Sequence, residues 1–240
     1  MRVLVPENAV RSVPELRARM EQLQGRRMDA AVLPAHPALA ALLPGGGLRA
    51  GSSYSLAPSP VLLSALLAPP SQHGSWCAVV GWPEFGTEAA AGSGVVLERT
   101  VLVPSPGPRW MSVVATLAEV MPLIAVRPPG RVSDAEAARL AARLRDRGAA
   151  LLVQGSWPQA DAALELADPH WSGAGRGQGY LTQREVTVTV RARRSPAPRR
   201  DRLLLPDATG GLDRLETAAE ARLAPTRPDR ALVGSLRAVG

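Results

Sequence analysis

An α/β domain built around a mostly parallel sheet is the fold class that this sequence predicts, and two observations carry it. Short apolar runs without alternation, CAVVG (77–81), TVLV (100–103), PLIAV (122–126) and ALLVQ (150–154), recur between stretches of helical spacing, as expected of strands buried on both faces. Past residue 160 the pattern changes: Val186, Val188 and Val190 alternate with Thr187, Thr189 and Arg191. That period of two marks a half-exposed strand, so antiparallel strands are expected on the C-terminal side.

Taken in order, Ser12-Val13-Pro14-Glu15 reads as a capping box, with Ser12 accepting from the first turn and Glu15 reaching back. Val13, Leu16, Met20 and Leu23 follow at three- and four-residue spacing, and Gly25 stops the run. A short amphipathic helix with a basic outer face is expected there, followed by a Pro-rich linker. Within residues 43–68 a glycine turn leads to a strand at Ser53–Leu56, a loop at Ala57–Pro60 and a helix from about Val61. Between the strands listed above fall a short helix from Phe85 to Ala91 and another over Arg109–Val120. Ser133-Asp134-Ala135-Glu136 is a second capping box, and Gly148 ends the helix that it opens. Residues 163–168, 179–193 and 202–206 read as the antiparallel strands. From Asp207 the chain is polar and punctuated by Gly and Pro, with Leu212, Leu215 and Leu223 marking a weakly amphipathic helix. The expected organisation is an N-terminal helix and linker (1–37), one domain (38–206) and a C-terminal tail (207–240).

Composition excludes several chemistries. All 28 basic residues are arginine. Without lysine, a Walker lysine, a Schiff-base lysine and a lysine general base are impossible. The net charge of +7 suits contact with nucleic acid, since arginine pairs with phosphate and releases counterions. Cys77 is the single cysteine; no intrachain disulfide can form, and its apolar surroundings suit a buried structural thiol. MRVLVPENAV lacks the apolar core of a signal peptide, and no stretch reaches the ~20 apolar residues of a membrane span. A cytoplasmic location is expected.

The order of these pieces resembles the RecA family core. Gly45-Gly46-Gly47-Leu48-Arg49-Ala50-Gly51 matches the glycine turn that precedes the phosphate-binding loop in that family, and Gly94 to Leu102 looks like a second family segment. More specifically, LPGGGLRAGSSYSL, GSWCAVVGWPEFG, VLVPSPGPRW, Ala125 to Arg131 and HWSGAGRGQGYL are similar to the actinobacterial ImuA-type (ImuA') proteins. The likeness covers roughly residues 38–190. It implies a RecA-like, mostly parallel sheet flanked by helices, and an accessory role in DNA-damage-induced mutagenesis.

The residues at the nucleotide positions point away from ATP. A phosphate cradle needs converging backbone N–H groups, a lysine and a Ser or Thr for magnesium. The matching stretch, Leu56-Ala57-Pro58-Ser59-Pro60-Val61-Leu62, has no Gly, Lys or Thr, and its two prolines remove donors. Ser59 alone reads as a loop serine. The Walker B strand should end in Asp; Leu123-Ile124-Ala125-Val126 ends in Arg127. The catalytic carboxylate of the family would fall near Pro83-Glu84, and Glu84 reads as a surface or capping residue. His36, His73 and His170 stand apart in loops without metal-ligand spacing. Trp171-Ser172-Gly173 is not a nucleophile elbow. No catalytic residue, cofactor or metal is expected.

The leading expectation is therefore an adaptor without enzyme activity. The resemblance implies as partners the inactive Y-family-like polymerase homologue ImuB and, through it, the sliding clamp and an error-prone polymerase. It also implies association with the nucleoid during DNA damage, and it allows a homodimer. Partner contacts are expected on Val13, Leu16, Met20 and Leu23, or on Leu212, Leu215, Leu223, Leu232 and Leu236, because amphipathic segments outside the sheet suit helix-in-groove binding. The alternative is a DNA-binding module using Arg191, Arg193, Arg194, Arg199, Arg200 and Arg202. A third reading is a residual nucleotide-binding enzyme.

Overall fold

The computed structural model describes residues 31–173 and 180–215. The elements in chain order are β1 (Val32–Leu33), α1 (Pro37–Ala40), β2 (Leu48–Arg49), β3 (Ser53–Leu56), α2 (Pro60–Gln72), β4 (Cys77–Val80), α3 (Thr87–Gly92), β5 (Thr100–Val103), α4 (Trp110–Leu117), β6 (Leu123–Val126), α5 (Asp134–Arg147), β7 (Ala150–Gln154), β8 (Ala162–Ser172), β9 (Gln183–Ala192), β10 (Arg199–Leu204) and β11 (Asp213–Arg214). Among the described residues the main sheet has nine strands in the order β11-β10-β9-β8-β3-β7-β6-β4-β5. The strands from β8 to β5 run parallel to one another, and β9, β10 and β11 extend the sheet, each antiparallel to the strand before it. The α/β fold class is therefore as the sequence predicts.

Period-two geometry sorts each central strand into two cores. Cys77 and Val79, Leu123 and Ala125, and Ala150 and Leu152 face a core shared with α1, α2 and α3. Ala78 and Val80, Ile124 and Val126, and Leu151 and Val153 face a second core, closed by α4 and α5. This is why these runs show no polar alternation. On β9 the valines turn inward to the first core, with Ala192 packed against it as well. Thr187, Thr189 and Arg191 form the opposite face, which no helix among the described residues covers.

The capping box on α5 is formed: Ser133 Oγ accepts from Glu136 N–H at 3.3 Å, and Glu136 Oε2 accepts from Ser133 N–H at 3.0 Å. Gly148 ends the helix in a left-handed conformation at φ +68.

Three stretches differ from expectation. Part of the Pro-rich linker is ordered: β1 pairs antiparallel with β2, and Ala38 and Leu39 of α1 are fully buried. β8 runs to Ser172, beyond the expected end at 168, by way of an irregular register between Ala167 and His170. The sheet also continues past Pro206. β11 pairs with β10, and Leu212, expected on a weakly amphipathic helix of the tail, is 8% exposed within the first core. Burying an isolated leucine in this way favours sheet over helix, because the Asp207 turn brings the chain back against Leu203 and Leu205. Leu215 is half-buried next to β11. Val13, Leu16, Met20, Leu23, Leu223, Leu232 and Leu236 lie outside the described residues.

Candidate functional site

In an open parallel sheet, ligands sit beyond the carboxyl ends of the strands, near the point where strand order reverses. Here that edge is formed by the ends of β3, β7, β6 and β4. Each has a feature that bears on nucleotide binding.

After β3 comes the stretch that would cradle phosphate. The Ala57 amide donates to Leu164 O at 2.9 Å, and the Leu62 amide donates to Ser59 Oγ at 3.3 Å. Pro58 and Pro60 have no amide hydrogen. Four of the six positions from Ala57 to Leu62 therefore lack a free N–H. Ser59, expected as a plain loop serine, is the 7%-exposed N-cap of α2, with Pro60 in the first turn. Its oxygen is used by the helix.

After β6 comes Arg127, where the resemblance puts the Walker B carboxylate, and its side chain reaches Glu84 in the loop after β4. Arg127 Nη1 donates to Glu84 Oε1, and Nη2 donates to Oε2 at 2.9 Å. The third donor, Nε, bonds Gly81 O at 2.9 Å, and the guanidinium lies 5.8 Å from the centre of the Trp82 ring. A planar fork matched to a carboxylate in this way is the strong form of ion pair. The hydrogen bond from Arg127 holds the Glu84 carboxyl below the usual carboxylate range, and Glu84 in turn raises the guanidinium. Glu84 is a surface residue, as expected, and the structure adds its partner: both carboxylate oxygens are engaged by Arg127. Its signal lay in the sequence: a charge reversed at 127 calls for a carboxylate nearby, and Glu84 follows the neighbouring strand.

After β7, Gly155 N–H donates to Leu56 O at 2.8 Å, and Trp157, 4% exposed, fills the second core. Its amide donates to Ser55 Oγ at 3.0 Å. The chain leaving β7 thus folds down over the end of β3.

The arginine run does not form one patch. Arg191 bonds both oxygens of Glu165 at 3.1 and 3.0 Å, and Arg202 pairs with Glu185 at 2.7 Å. With Arg200 opposite Thr189, these side chains occupy the uncovered sheet face, interleaved with carboxylates. Arg199, paired opposite the inward Val190, turns to the other face and reaches Leu43 O at 3.5 Å. Arg193 and Arg194 lie at the turn after β9 and line a cavity at the amino edge of the sheet. Among the described residues no group of His, Cys, Asp and Glu could hold a metal ion. His36 caps α1, its Nδ1 accepting from Ala38 N–H at 3.3 Å. No described helix is long and apolar enough to cross a membrane.

The sheet order and the helices on both faces make this a RecA-like α/β domain. A KaiC-like protein from the hyperthermophilic archaeon Pyrococcus horikoshii OT3 matches with a TM-score of 0.54 at 11% identity, over 78% of this chain and 100% of that one. In sequence, a family model described as the MT3502 N-terminal domain matches residues 41–159. Protein Rv3395c of Mycobacterium tuberculosis (strain ATCC 25618 / H37Rv) is 29% identical over 197 residues, which are 79% of this chain and 86% of the relative.

Proposed function

We propose that this chain is a RecA-like accessory protein that works without nucleotide. The observation that carries this reading is the Arg127–Glu84 pair. A guanidinium stands where magnesium would need an anionic oxygen, and the carboxylate of Glu84 beside it is engaged by the pair. The amide-poor loop after β3 supports the same reading independently.

The finer assignment rests on resemblance: an adaptor of the ImuA' type that binds an ImuB-type polymerase homologue in translesion synthesis. The similarity to a mycobacterial protein is in keeping with its actinobacterial range. The contact would lie in the segments flanking the sheet, with Leu212 removed from the candidates because it serves the core.

The test is capture by ImuB from the same organism, with and without ATP, using the full chain and a chain ending after Leu215. Ending at Pro206 instead would strip β11 and Leu212 from the fold. Capture by the full chain that ignores ATP supports the adaptor reading, and loss on truncation puts the contact in the last segment. Capture that requires ATP, or saturable ATP binding by the chain alone, overturns the nucleotide-free reading. No capture in any condition overturns the partner assignment.

A further inference from the structure

At the amino ends of β3 and β8, opposite the edge just described, the chain forms an open cavity of about 850 Å³. Arg49 reaches it from the end of β2, Arg145 from the last turn of α5, and Arg193 and Arg194 from the turn after β9. Among the described residues none of these four arginines forms an ion pair. Asp146 and Asp161 also line the cavity, but Asp161 is held by the fold. Its Oδ2 accepts from Ser53 N–H at 3.0 Å, and its backbone bonds Ser53 O and Arg193 N–H, each at 2.8 Å. Four guanidinium groups against two carboxylates leave the cavity positive. Like charges brought together from three separate segments repel, so the arrangement is favourable when an anion fills it.

The walls narrow the choice of anion. Tyr54 is the aromatic residue among the lining groups; it is 1% exposed, and its hydroxyl accepts from Arg49 N–H at 2.8 Å. A nucleic-acid strand would find phosphate partners here without a ring on which to stack its bases. Ala137, Ala138 and Ala141 form a wall along α5 without long side chains, which allows a main chain to come close. We propose that the cavity binds an acidic polypeptide segment of a partner protein, its carboxylates paired with Arg49, Arg145, Arg193 and Arg194. This goes beyond the nucleotide-free reading and does not depend on it, since the two edges of the sheet are separate.

Fluorescence anisotropy on the full chain tests the proposal, with labelled oligo-glutamate, oligo-deoxythymidylate of equal charge, and a neutral Gly-Ser peptide as probes. Oligo-glutamate is expected to bind, and to weaken steeply between about 50 and 200 mM salt. The paired variants R49Q/R145Q and R193Q/R194Q should each weaken it several-fold, and the four changes together about tenfold or more, as four exposed charge contacts would. Arg200→Gln, on the far sheet face, should leave it unchanged, and thermal unfolding of every variant should match the parent. Tighter binding of the oligonucleotide, with the same dependence on the four arginines, would make the cavity a nucleic-acid site and overturn the proposal. Absence of oligo-glutamate binding, or binding indifferent to both pairs, would overturn it too. Neither result bears on ATP or ImuB, whose own test is capture with and without nucleotide.

Discussion

Gly81 and Arg127 meet backbone to backbone where β4 and β6 end: a Cβ added at Gly81 would stand 2.5 Å from the Arg127 carbonyl oxygen. Gly81 also holds φ at +85, and its carbonyl accepts from Arg127 Nε at 2.9 Å. The glycine is what lets the loop after β4 turn toward Arg127. Gly81→Ala should therefore lower stability by roughly 1–3 kcal/mol and loosen the Glu84 contact. Urea unfolding checks this; an unchanged midpoint would show that the turn tolerates a side chain.

Restoring one nucleotide element should not restore nucleotide binding. Arg127→Asp places a carboxylate against Glu84 and should destabilise the fold by like-charge repulsion. Combining it with Glu84→Gln should recover most of that loss. Neither variant should bind a fluorescent ATP analogue, because the loop from Ala57 to Leu62 still lacks its donors. Saturable binding by the double variant would show that the Arg127–Glu84 pair, and not the loop after β3, excludes nucleotide.

The Glu84 pair also sets a pH dependence. The folded carboxyl titrates below its unfolded value because Arg127 hydrogen-bonds it. Its stabilisation is therefore fully present above the unfolded value, about 4.3, and is lost as pH falls through the lower folded value. The melting difference between the parent and Glu84→Gln should be constant from neutral pH down to about 5. It should shrink below that and vanish in stronger acid. A difference that persists unchanged in strong acid would mean that packing, not charge, distinguishes the two. Both side chains are substantially exposed, so high salt should reduce the effect.

Much of this architecture was legible because each signal was local. Ser133, Glu136 and Gly148 bracket α5 by chemistry contained within their own segment. The unbroken apolar runs of β4, β6 and β7 read as strands because each residue has a core on its own side. What escaped was long-range. β1 and β2 are two-residue strands that exist through pairing with each other, and β11 forms because Leu212 finds the core beside Leu203 and Leu205. The arginine run looked continuous along the chain. Period-two geometry splits it: Arg191 and Arg202 share the uncovered face with Glu165 and Glu185, and Arg199 turns the other way. Arg49 and Arg145 join Arg193 and Arg194 only in three dimensions.

Leu212 gives a direct test of where the fold ends. At 8% exposure in the first core, Leu212→Ala removes buried methyl groups and should cost about 2 kcal/mol or more. Leu215→Ala, half-buried beside β11, should cost less. If both changes are neutral in denaturant unfolding, β11 contributes nothing to the domain and its boundary reverts to Pro206.

Cys77 tests the two-sided burial of the central strands. Its thiol faces the first core with 0% exposure, and burial pushes its pKa up to about 12. The thiolate is the species that reacts with alkylating agents, so both access and ionisation oppose modification. At mildly alkaline pH, iodoacetamide should label the native protein orders of magnitude more slowly than the urea-unfolded chain. The native rate should follow the opening of the sheet: destabilising Gly81→Ala should speed labelling in step with the population of opened chain. Rapid native labelling would mean that β4 is reachable by solvent, which contradicts a strand covered by helices on both faces.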